Sequence, residues 1–464
     1  MTLLTWLLLA YLAVLLWFGI RGGSEDREIK SLLTAGGATG ALLCALSLVS
    51  TIIGGSATLG MGALTQKIGP AAFWWLGVGA IGLFLHGLLV APAIRASGAV
   101  TLPDVLKKLV GVTAEKWAAL IIAVSWVAVT AAQFTALHAL LGSVTGGRAA
   151  EILYILLAAA IVLHTALGGQ RGVIRTDAMQ AVLLLGGFSA AALWCVWDRP
   201  AEVAALPVVP FTEQFGLLDW VKMLLLVGIT FVIGPDMFSR TFAARDGLTA
   251  RRAAWIAAPL IAFFGVVGTM LALLNLDAKQ PISDWLSASS PLPEVLAAML
   301  ALGLVSALSG SADTVLLSAA GIVEKDVIGR DRVRAVRLWT ALFGTLAASC
   351  AWISGDIIGL LLTAYSLFVP GVAAPLLILV AGRCRRADPT VWLTGAVLGG
   401  LGGLAGNLTG ENLWTFTGMA VSVAGALIAV RRAKAAPIIE TAAEAQPAET
   451  AAPAAKPLPN DVSA

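Results

Sequence analysis

The feature that most constrains this fold is a succession of long apolar segments along the chain. About 20 apolar residues cross the hydrocarbon region of a bilayer as one helix. Of the 464 residues, 59% are hydrophobic and 12% are charged. So few charges cannot cover a water-soluble surface. A soluble enzyme and a nucleic-acid-binding protein are therefore excluded, and the sequence predicts a chain embedded in a lipid bilayer.

Thirteen segments have this character, which predicts an all-α polytopic membrane protein with thirteen transmembrane helices. Two of them, 38–65 and 291–322, are longer than a span requires, which predicts tilted or interrupted helices. The thirteen segments lie at 2–20, 38–65, 71–94, 116–142, 151–167, 177–197, 219–238, 252–274, 291–322, 335–353, 356–380, 389–407 and 413–431.

The basic residues divide unevenly between the two sets of connections. The chain has 30 Lys and Arg residues. One set of connections holds only Lys67, Arg148, Arg199, Lys222 and Lys279. The other set, to which we assign Arg240, holds all the rest. The positive-inside rule makes the larger set cytoplasmic. We therefore expect an external N-terminus and a cytoplasmic C-terminus in a plasma or inner membrane.

Two spans contain residues that disfavour a continuous helix. The second contains Gly54 and Gly55 among three hydroxyl side chains, which indicates either a break in the helix or a close-packed helix interface of small residues. The seventh contains Gly234 and Pro235, which predict a kink rather than an unwound segment. These spans are five apart in order, as in transporters built from two inverted repeats. The predicted parts are a first span with its loop (1–37), repeat one (38–197), repeat two (198–380), two peripheral spans (381–432) and a disordered cytoplasmic tail (433–464).

The ninth span carries the acidic residue Asp313 among several hydroxyl side chains. An acidic side chain within a span indicates function, because burying it there is costly. Oxygen ligands suit a hard cation such as Na⁺ better than a transition metal, and four scattered cysteines indicate no other metal or cofactor. Asp177 admits a plainer interpretation, as a first-turn residue of the sixth span behind an N-cap at Thr176.

Four motifs in chain order resemble those of the sodium/solute symporter family. Leu48 to Gly62 resembles its first core helix, with a small-residue break. Gly168 to Gln180 resembles its glycine-rich loop that ends in Thr-Asp-x-x-Gln. Pro235 to Asp246 resembles its proline-to-arginine segment, and Ser309 to Thr314 its Met-Ser-Thr-Ala-Asp-Ser helix. The resemblance covers the chain from the first span to the thirteenth.

This resemblance implies a five-plus-five inverted-repeat (LeuT-like) core and Na⁺-coupled uptake of a small organic solute by alternating access. Gly310 departs from the pattern, since the family usually has serine there, which puts Na⁺ affinity in question. The implied sodium-binding positions are Ser50, Ile53, Ala307, Gly310 and Ser311. The implied cation pathway consists of Asp177, Asp313 and Thr314.

The solute is predicted to be an amino acid, a carboxylate or a vitamin-sized molecule. The predicted cavity residues are Ser56, Trp74, Gln133, Thr230, Tyr365 and Ser366. Two alternatives to Na⁺-coupled transport stay open: proton coupling through a buried carboxylate, and a solute sensor that does not transport. No cluster of nucleophiles or acid–base pairs indicates an enzyme. The sequence leaves the oligomeric state open.

Overall fold

The computed structural model describes residues 3–22, 28–277, 282–286, 290, 292–353, 355–382 and 386–433. Within these ranges the backbone is helical, with two isolated β-bridges and no strand. Apart from Ala433, the predicted cytoplasmic tail lies outside the described residues. The prediction of an all-α fold is confirmed for the part of the chain that the structure describes.

The helices are numbered in chain order. They are α1 Leu3–Gly22, α2 Ile29–Thr34, α3 Ala41–Ile52, α4 Met61–Ile68, α5 Trp74–Leu85, α6 Ala91–Ala96, α7 Leu102–Leu109, α8 Val112–Val144, α9 Gly147–Asp198, α10 Pro200–Ala204, α11 Leu217–Met223, α12 Ile229–Val232, α13 Pro235–Ala243, α14 Gly247–Leu273, α15 Glu294–Ile322, α16 Val333–Ser349, α17 Ile357–Phe368, α18 Ala374–Ala381, α19 Pro389–Thr409 and α20 Asn412–Arg432. Single π-helical turns join α5 to α6, α11 to α12 and α17 to α18.

All thirteen predicted segments coincide with helical structure. In the described ranges, nine helical stretches are long and apolar enough to cross a membrane, and two shorter apolar helices lie at Trp6–Gly22 and Ala41–Ile52. The numbers differ partly because α9, with 52 residues, contains both the fifth and the sixth predicted segments. The number of membrane crossings stays a prediction.

Two helices are interrupted at related positions, which supports the inverted-repeat organisation. After α3, Ile53 leaves the helical region with φ −87° and ψ 80°, and Gly54 and Gly55 follow. After α12, Ile233 has φ −129° and ψ 73°, and extended Gly234 precedes Pro235 at the start of α13. The expectation of a simple kink in the seventh span was wrong, because two residues there are non-helical. Proline cannot continue the helical hydrogen bonding, so a new helix begins with it.

The helix that follows the glycine-rich motif begins earlier than the sequence indicates. In α9 the non-helical residue is Gly169, with φ 55° and ψ −163°, a backbone region that favours glycine. Thr176 and Asp177 lie two turns beyond it. The hydroxyl of Thr176 lies 2.9 Å from the Val173 carbonyl oxygen, as in a helix interior. The N-cap interpretation of Thr176, and with it the first-turn interpretation of Asp177, was wrong.

Helix α15 occupies the centre of the fold and is buried along most of its length. It packs against α3, α8 and α9, so the break after α3 faces the middle of α15. Helices α19 and α20 pack closely on each other at the periphery, where a Cβ atom at Gly395 would lie 2.9 Å from the Cα of Gly425. The fold therefore places α15, from the second predicted repeat, against helices of the first predicted repeat.

Candidate ion and solute site

The first break is held by the two helices that face it. The Gly55 amide donates a hydrogen bond of 2.6 Å to Oε1 of Gln133 on α8. A Cβ atom at Gly54 would lie 2.6 Å from Oγ of Ser311 on α15. Backbone and side chains approach too closely here for any residue larger than glycine. The glycine pair therefore permits the break to lie directly on α8 and α15.

The five predicted sodium-binding residues lie on two facing elements. Ser50 and Ile53 lie at the end of α3, and Ala307, Gly310 and Ser311 lie on α15, all of them buried. The Gly54 amide donates to Ile52 O at 3.1 Å. In a continuous α-helix it would donate to Ser50 O instead. The break thus leaves the Ser50 carbonyl without its helical donor, as a main-chain cation ligand requires.

Three side-chain oxygens converge on the side of Gly310 where other residues carry a Cβ atom. A Cβ atom at this position would lie 2.6 Å from Gln180 Oε1, 3.1 Å from Asp177 Oδ1 and closer still to Ser50 Oγ. Ser50 Oγ itself donates to Gln180 Oε1 at 3.2 Å. The volume of the family's serine side chain is therefore occupied by an amide, a carboxylate and a hydroxyl from α3 and α9.

Asp177 forms a buried ion pair with Arg240 of α13. Asp177 Oδ2 lies 2.6 Å from Arg240 Nη2, and the two side chains are 0% and 1% exposed. The same oxygen accepts a hydrogen bond of 2.5 Å from Ser47. The other oxygen, Oδ1, has no hydrogen-bond partner among the described residues. The carboxylate thus has one oxygen engaged by cationic and hydroxyl donors and one directed to the face of Gly310.

Arg240 is a buried residue, which corrects its assignment to an exposed connection. Its Nε donates to Ser47 at 2.8 Å and its Nη1 to Ser239 at 2.9 Å. Its Nη2 donates to Thr314 as well as to Asp177. Arg240 also lies within the apolar stretch Leu217–Ala243. The burial of this guanidinium is tolerated because a carboxylate and three hydroxyl groups accept its hydrogen bonds.

The predicted cation-pathway residues divide into two groups. Asp177 and Thr314 both contact Arg240. Asp313 faces away from Arg240. Its Oδ1 accepts a hydrogen bond of 2.5 Å from the Thr165 hydroxyl, and its Oδ2 lies 3.7 Å from Nε2 of His164. His164 is fixed by a contact of 2.8 Å between Nδ1 and the Leu15 carbonyl oxygen. Asp313 therefore occupies a separate, fully buried polar pocket beside His164 and Thr165.

A small central cavity lies beside the first break. Its open space of about 20 Å³ is roughly that of one water molecule. Three of the six predicted cavity residues line it, namely Ser56, Gln133 and Tyr365. Sequence reasoning missed Trp75 and Asp236, which also line it. Asp236 follows the proline of the second break directly, which was a usable signal. This volume is too small to hold an organic solute.

The other three predicted cavity residues lie outside the described lining. Trp74 is directed away from the cavity, and its indole nitrogen donates a hydrogen bond of 2.8 Å to the Pro210 carbonyl oxygen. The hydroxyl groups of Thr230 and Ser366 donate to the main-chain oxygens of Leu226 and Thr363, within or next to their own helices. Their part in solute binding stays a prediction.

The second break is spanned by a histidine from α5–α6. His86 Nδ1 lies 2.8 Å from Val232 O, at the end of α12, and its Nε2 lies 2.8 Å from Thr241 Oγ1 on α13. A carbonyl only accepts, so Nδ1 carries the proton and Nε2 accepts from the Thr241 hydroxyl in the neutral ring. His86 therefore joins the two halves of the interrupted helix.

Comparison with known proteins identifies a family over part of the chain. Residues 32–198 match the model of the sodium:solute symporter family. That range includes the first break, Gln133, Asp177 and Gln180, so the resemblance seen in the motifs is confirmed over this part of the chain. No curated protein matches the sequence significantly.

Solved structures of transporters share the fold. A Na⁺-coupled sialic acid symporter, in a substrate-bound outward-open state, superposes with a TM-score of 0.74 at 15% identity, covering 92% of this chain and 97% of that one. Mhp1, a nucleobase-cation-symport-1 family transporter, has a TM-score of 0.61 at 13% identity, with coverage of 86% and 93%. A mutant form of the manganese transporter of Eremococcus coleocola has a TM-score of 0.53 at 13% identity, with coverage of 88% and 97%. The chain has the LeuT-like five-plus-five fold, and with the family match it is a membrane-embedded secondary transporter.

Proposed function

We propose that this protein is a Na⁺-coupled symporter that takes up a small organic solute by alternating access. The observation that carries this proposal is the convergence of three side-chain oxygens on the face of Gly310. One of them is a carboxylate oxygen without a hydrogen-bond donor among the described residues. The Na⁺-coupled sialic acid symporter of the same fold supports the choice of ion.

We propose that Na⁺ binds between α3 and α15, with main-chain oxygens of Ser50, Ile53 and Ala307 and the hydroxyl of Ser311 as ligands. Hard oxygen donors of this kind suit Na⁺. Asp177 and Gln180 would supply the side-chain oxygens that Gly310 lacks. Because Arg240 already balances one charge on Asp177, the ion would bind to a site of moderate rather than strong negative potential.

The position of Ser311 suggests how ion and solute binding are coupled. Its hydroxyl abuts Gly54 at the first break, and the same residue lines the central cavity. An ion that draws Ser311 and the freed carbonyl of Ser50 together would fix the backbone that forms one wall of the cavity. Each ligand would then favour the conformation that the other needs, which is the thermodynamic meaning of coupling.

The test is ²²Na⁺ binding to purified protein, with Ser311→Ala compared against Ser318→Ala on the same helix. Ser318 lines a different cavity, near the start of α13. We expect Ser311→Ala to weaken Na⁺ binding by at least about tenfold, the effect of losing one ion ligand worth about 1.4 kcal/mol. Ser318→Ala should bind like wild type. Equal Na⁺ binding by wild type and Ser311→Ala would contradict the proposed site.

Proton coupling is a second candidate, and the Asp313 pocket favours it. Asp313 is fully buried, and within the described chain its Oδ2 has no hydrogen-bond partner. A buried carboxylate without a close cation is stabilised by taking up a proton. Uptake driven by a pH gradient in Na⁺-free proteoliposomes, and lost in Asp313→Asn, would support this mechanism over Na⁺ coupling.

Further parts of the proposal concern the surroundings of the transporter. We propose an external N-terminus and a cytoplasmic C-terminus in a plasma or inner membrane, from the distribution of Lys and Arg. Repeats one and two would move relative to each other, and α19 and α20 would lie at the periphery. A transporter-like sensor would bind solute and Na⁺ equally well, and measured uptake into proteoliposomes separates the two.

A further inference from the structure

An acidic side chain lies in the wall of the central cavity. Asp236 is the second residue of α13, directly after the break in repeat two, and it lines the cavity together with Ser56, Gln133 and Ser311. Its Oδ1 atom is buried and has no hydrogen-bond partner in the part of the chain described. The carboxylate is therefore placed against the space that a solute would enter.

No basic side chain balances Asp236 from within the cavity. The described lining residues include no Lys, Arg or His. The guanidinium of Arg240, one turn further along α13, is engaged by Asp177, with Ser47, Ser239 and Thr314 accepting its other hydrogen bonds. The helix N-terminus favours an acidic residue at this position, but that effect leaves the buried Oδ1 without a donor. A cationic group in the cavity would supply one.

The rest of the cavity wall suits a cation with an apolar body. Trp75, Phe231 and Tyr365 present aromatic side chains to it. Aromatic faces attract Lys-like ammonium groups and quaternary ammonium groups. The amide of Gln133 and the hydroxyl of Ser56 provide neutral polar contacts. The wall therefore combines one negative charge, three aromatic side chains and no positive charge.

We propose that the transported solute carries a positively charged nitrogen, which binds Asp236 against these aromatic side chains. The inference rests on the proposed function, since it takes the central cavity as the solute site. It narrows the solute to amines, quaternary ammonium compounds and amino acids, and it excludes simple carboxylates and neutral sugars. The cavity must expand for such a molecule to enter.

The test is a thermal-shift screen of purified protein with matched pairs of probes. One member of each pair carries a cationic nitrogen and the other replaces it with carbon: choline with 3,3-dimethylbutan-1-ol, proline with cyclopentanecarboxylate, and 1,4-diaminobutane with hexane. We expect stabilisation only by nitrogen-bearing members. In Asp236→Asn the affinity for the stabilising probe should fall by at least about tenfold. Asp246→Asn, a change at an exposed carboxylate, serves as the matched control and should bind like wild type.

The outcomes separate this inference from the proposed function. Stabilisation by a carbon analogue, an unchanged affinity in Asp236→Asn, or no stabilisation by any nitrogen-bearing probe would overturn the inference. Binding of ²²Na⁺ to the same Asp236→Asn preparation shows whether the ion site and the fold are intact. A lack of Na⁺ binding by wild-type protein would instead refute the Na⁺-coupled symport on which the inference rests.

Discussion

The Asp177–Arg240 ion pair gives the sharpest test of the site, because removing either partner alone leaves a buried charge without its counter-ion. Breaking a buried pair in this way costs about 3–5 kcal/mol. Asp177→Asn leaves Arg240, whose guanidinium cannot lose its proton, with the hydroxyl acceptors of Ser47, Ser239 and Thr314, so we expect a loss of about 5 kcal/mol. Arg240→Met leaves Asp177 with Ser47 as its hydrogen-bond donor, and this carboxylate can take up a proton, so we expect a smaller loss of about 3 kcal/mol.

The double variant Asp177→Asn/Arg240→Met should be more stable than either single variant. Replacing a whole buried pair by neutral side chains of similar volume is often close to neutral in stability. The measurement is the free energy of unfolding in detergent, followed by tryptophan fluorescence. Glu202→Gln at the exposed Arg199–Glu202 pair is the matched control and should lose no more than about 1 kcal/mol. Wild-type stability of Asp177→Asn, or additive losses in the double variant, would refute this reasoning.

Three other predictions concern the ion site, the topology and the tail. Gly310→Ser should lower the melting temperature, because its Cβ would need the space of the Ser50 hydroxyl and of Gln180 Oε1, and adding Ser50→Ala should restore part of the loss. An undiminished melting temperature of the single variant would show that the site has room for a serine. In a cysteine-free background, Val208→Cys should be labelled from outside intact cells and Arg245→Cys should not, since both positions are exposed but lie on opposite sides of the predicted membrane. The reverse labelling pattern would show that the predicted topology is inverted. Removal of 434–464 should leave insertion and uptake nearly unchanged, since the segment has little apolar surface to bury, and a large loss of uptake with normal insertion would show that the tail contacts the core.

The parts of the fold that depend on local composition could be predicted from the sequence. Helix formation in every apolar segment follows from the absence of water as a hydrogen-bond partner in the membrane. At the first break the adjacent Gly54 and Gly55 indicated either a break or a close-packed helix interface, and the contacts with Gln133 and Ser311 decide between the two. At the second break the same reasoning underestimated the effect, since Pro235 follows Gly234 and the two together end one helix and begin another.

The parts that depend on distant partners could not be predicted in the same way. Arg240 and Asp177 are 63 positions apart, and nothing within either segment indicates that they meet. Counting Arg240 as a loop residue followed from its charge alone. The structure shows instead that a charged side chain close to a span end can be drawn into the bundle by a carboxylate and three hydroxyls. The same limitation left Trp75 and Asp236 out of the predicted cavity.

The two interrupted helices are held by different parts of the molecule, so their breaks should differ in how easily they bend. In repeat one, Gln133 holds the break at the amide of Gly55, inside the wall of the cavity. In repeat two, His86 ties α12 to α13 from the α5–α6 side and does not line that cavity. A solute that forms a hydrogen bond with Gln133 Oε1 would displace the Gly55 amide and so loosen the first break directly. The contacts of His86 with Val232 and Thr241 would remain, so that α12 and α13 would move as one rigid unit while the segment around Gly54 bends.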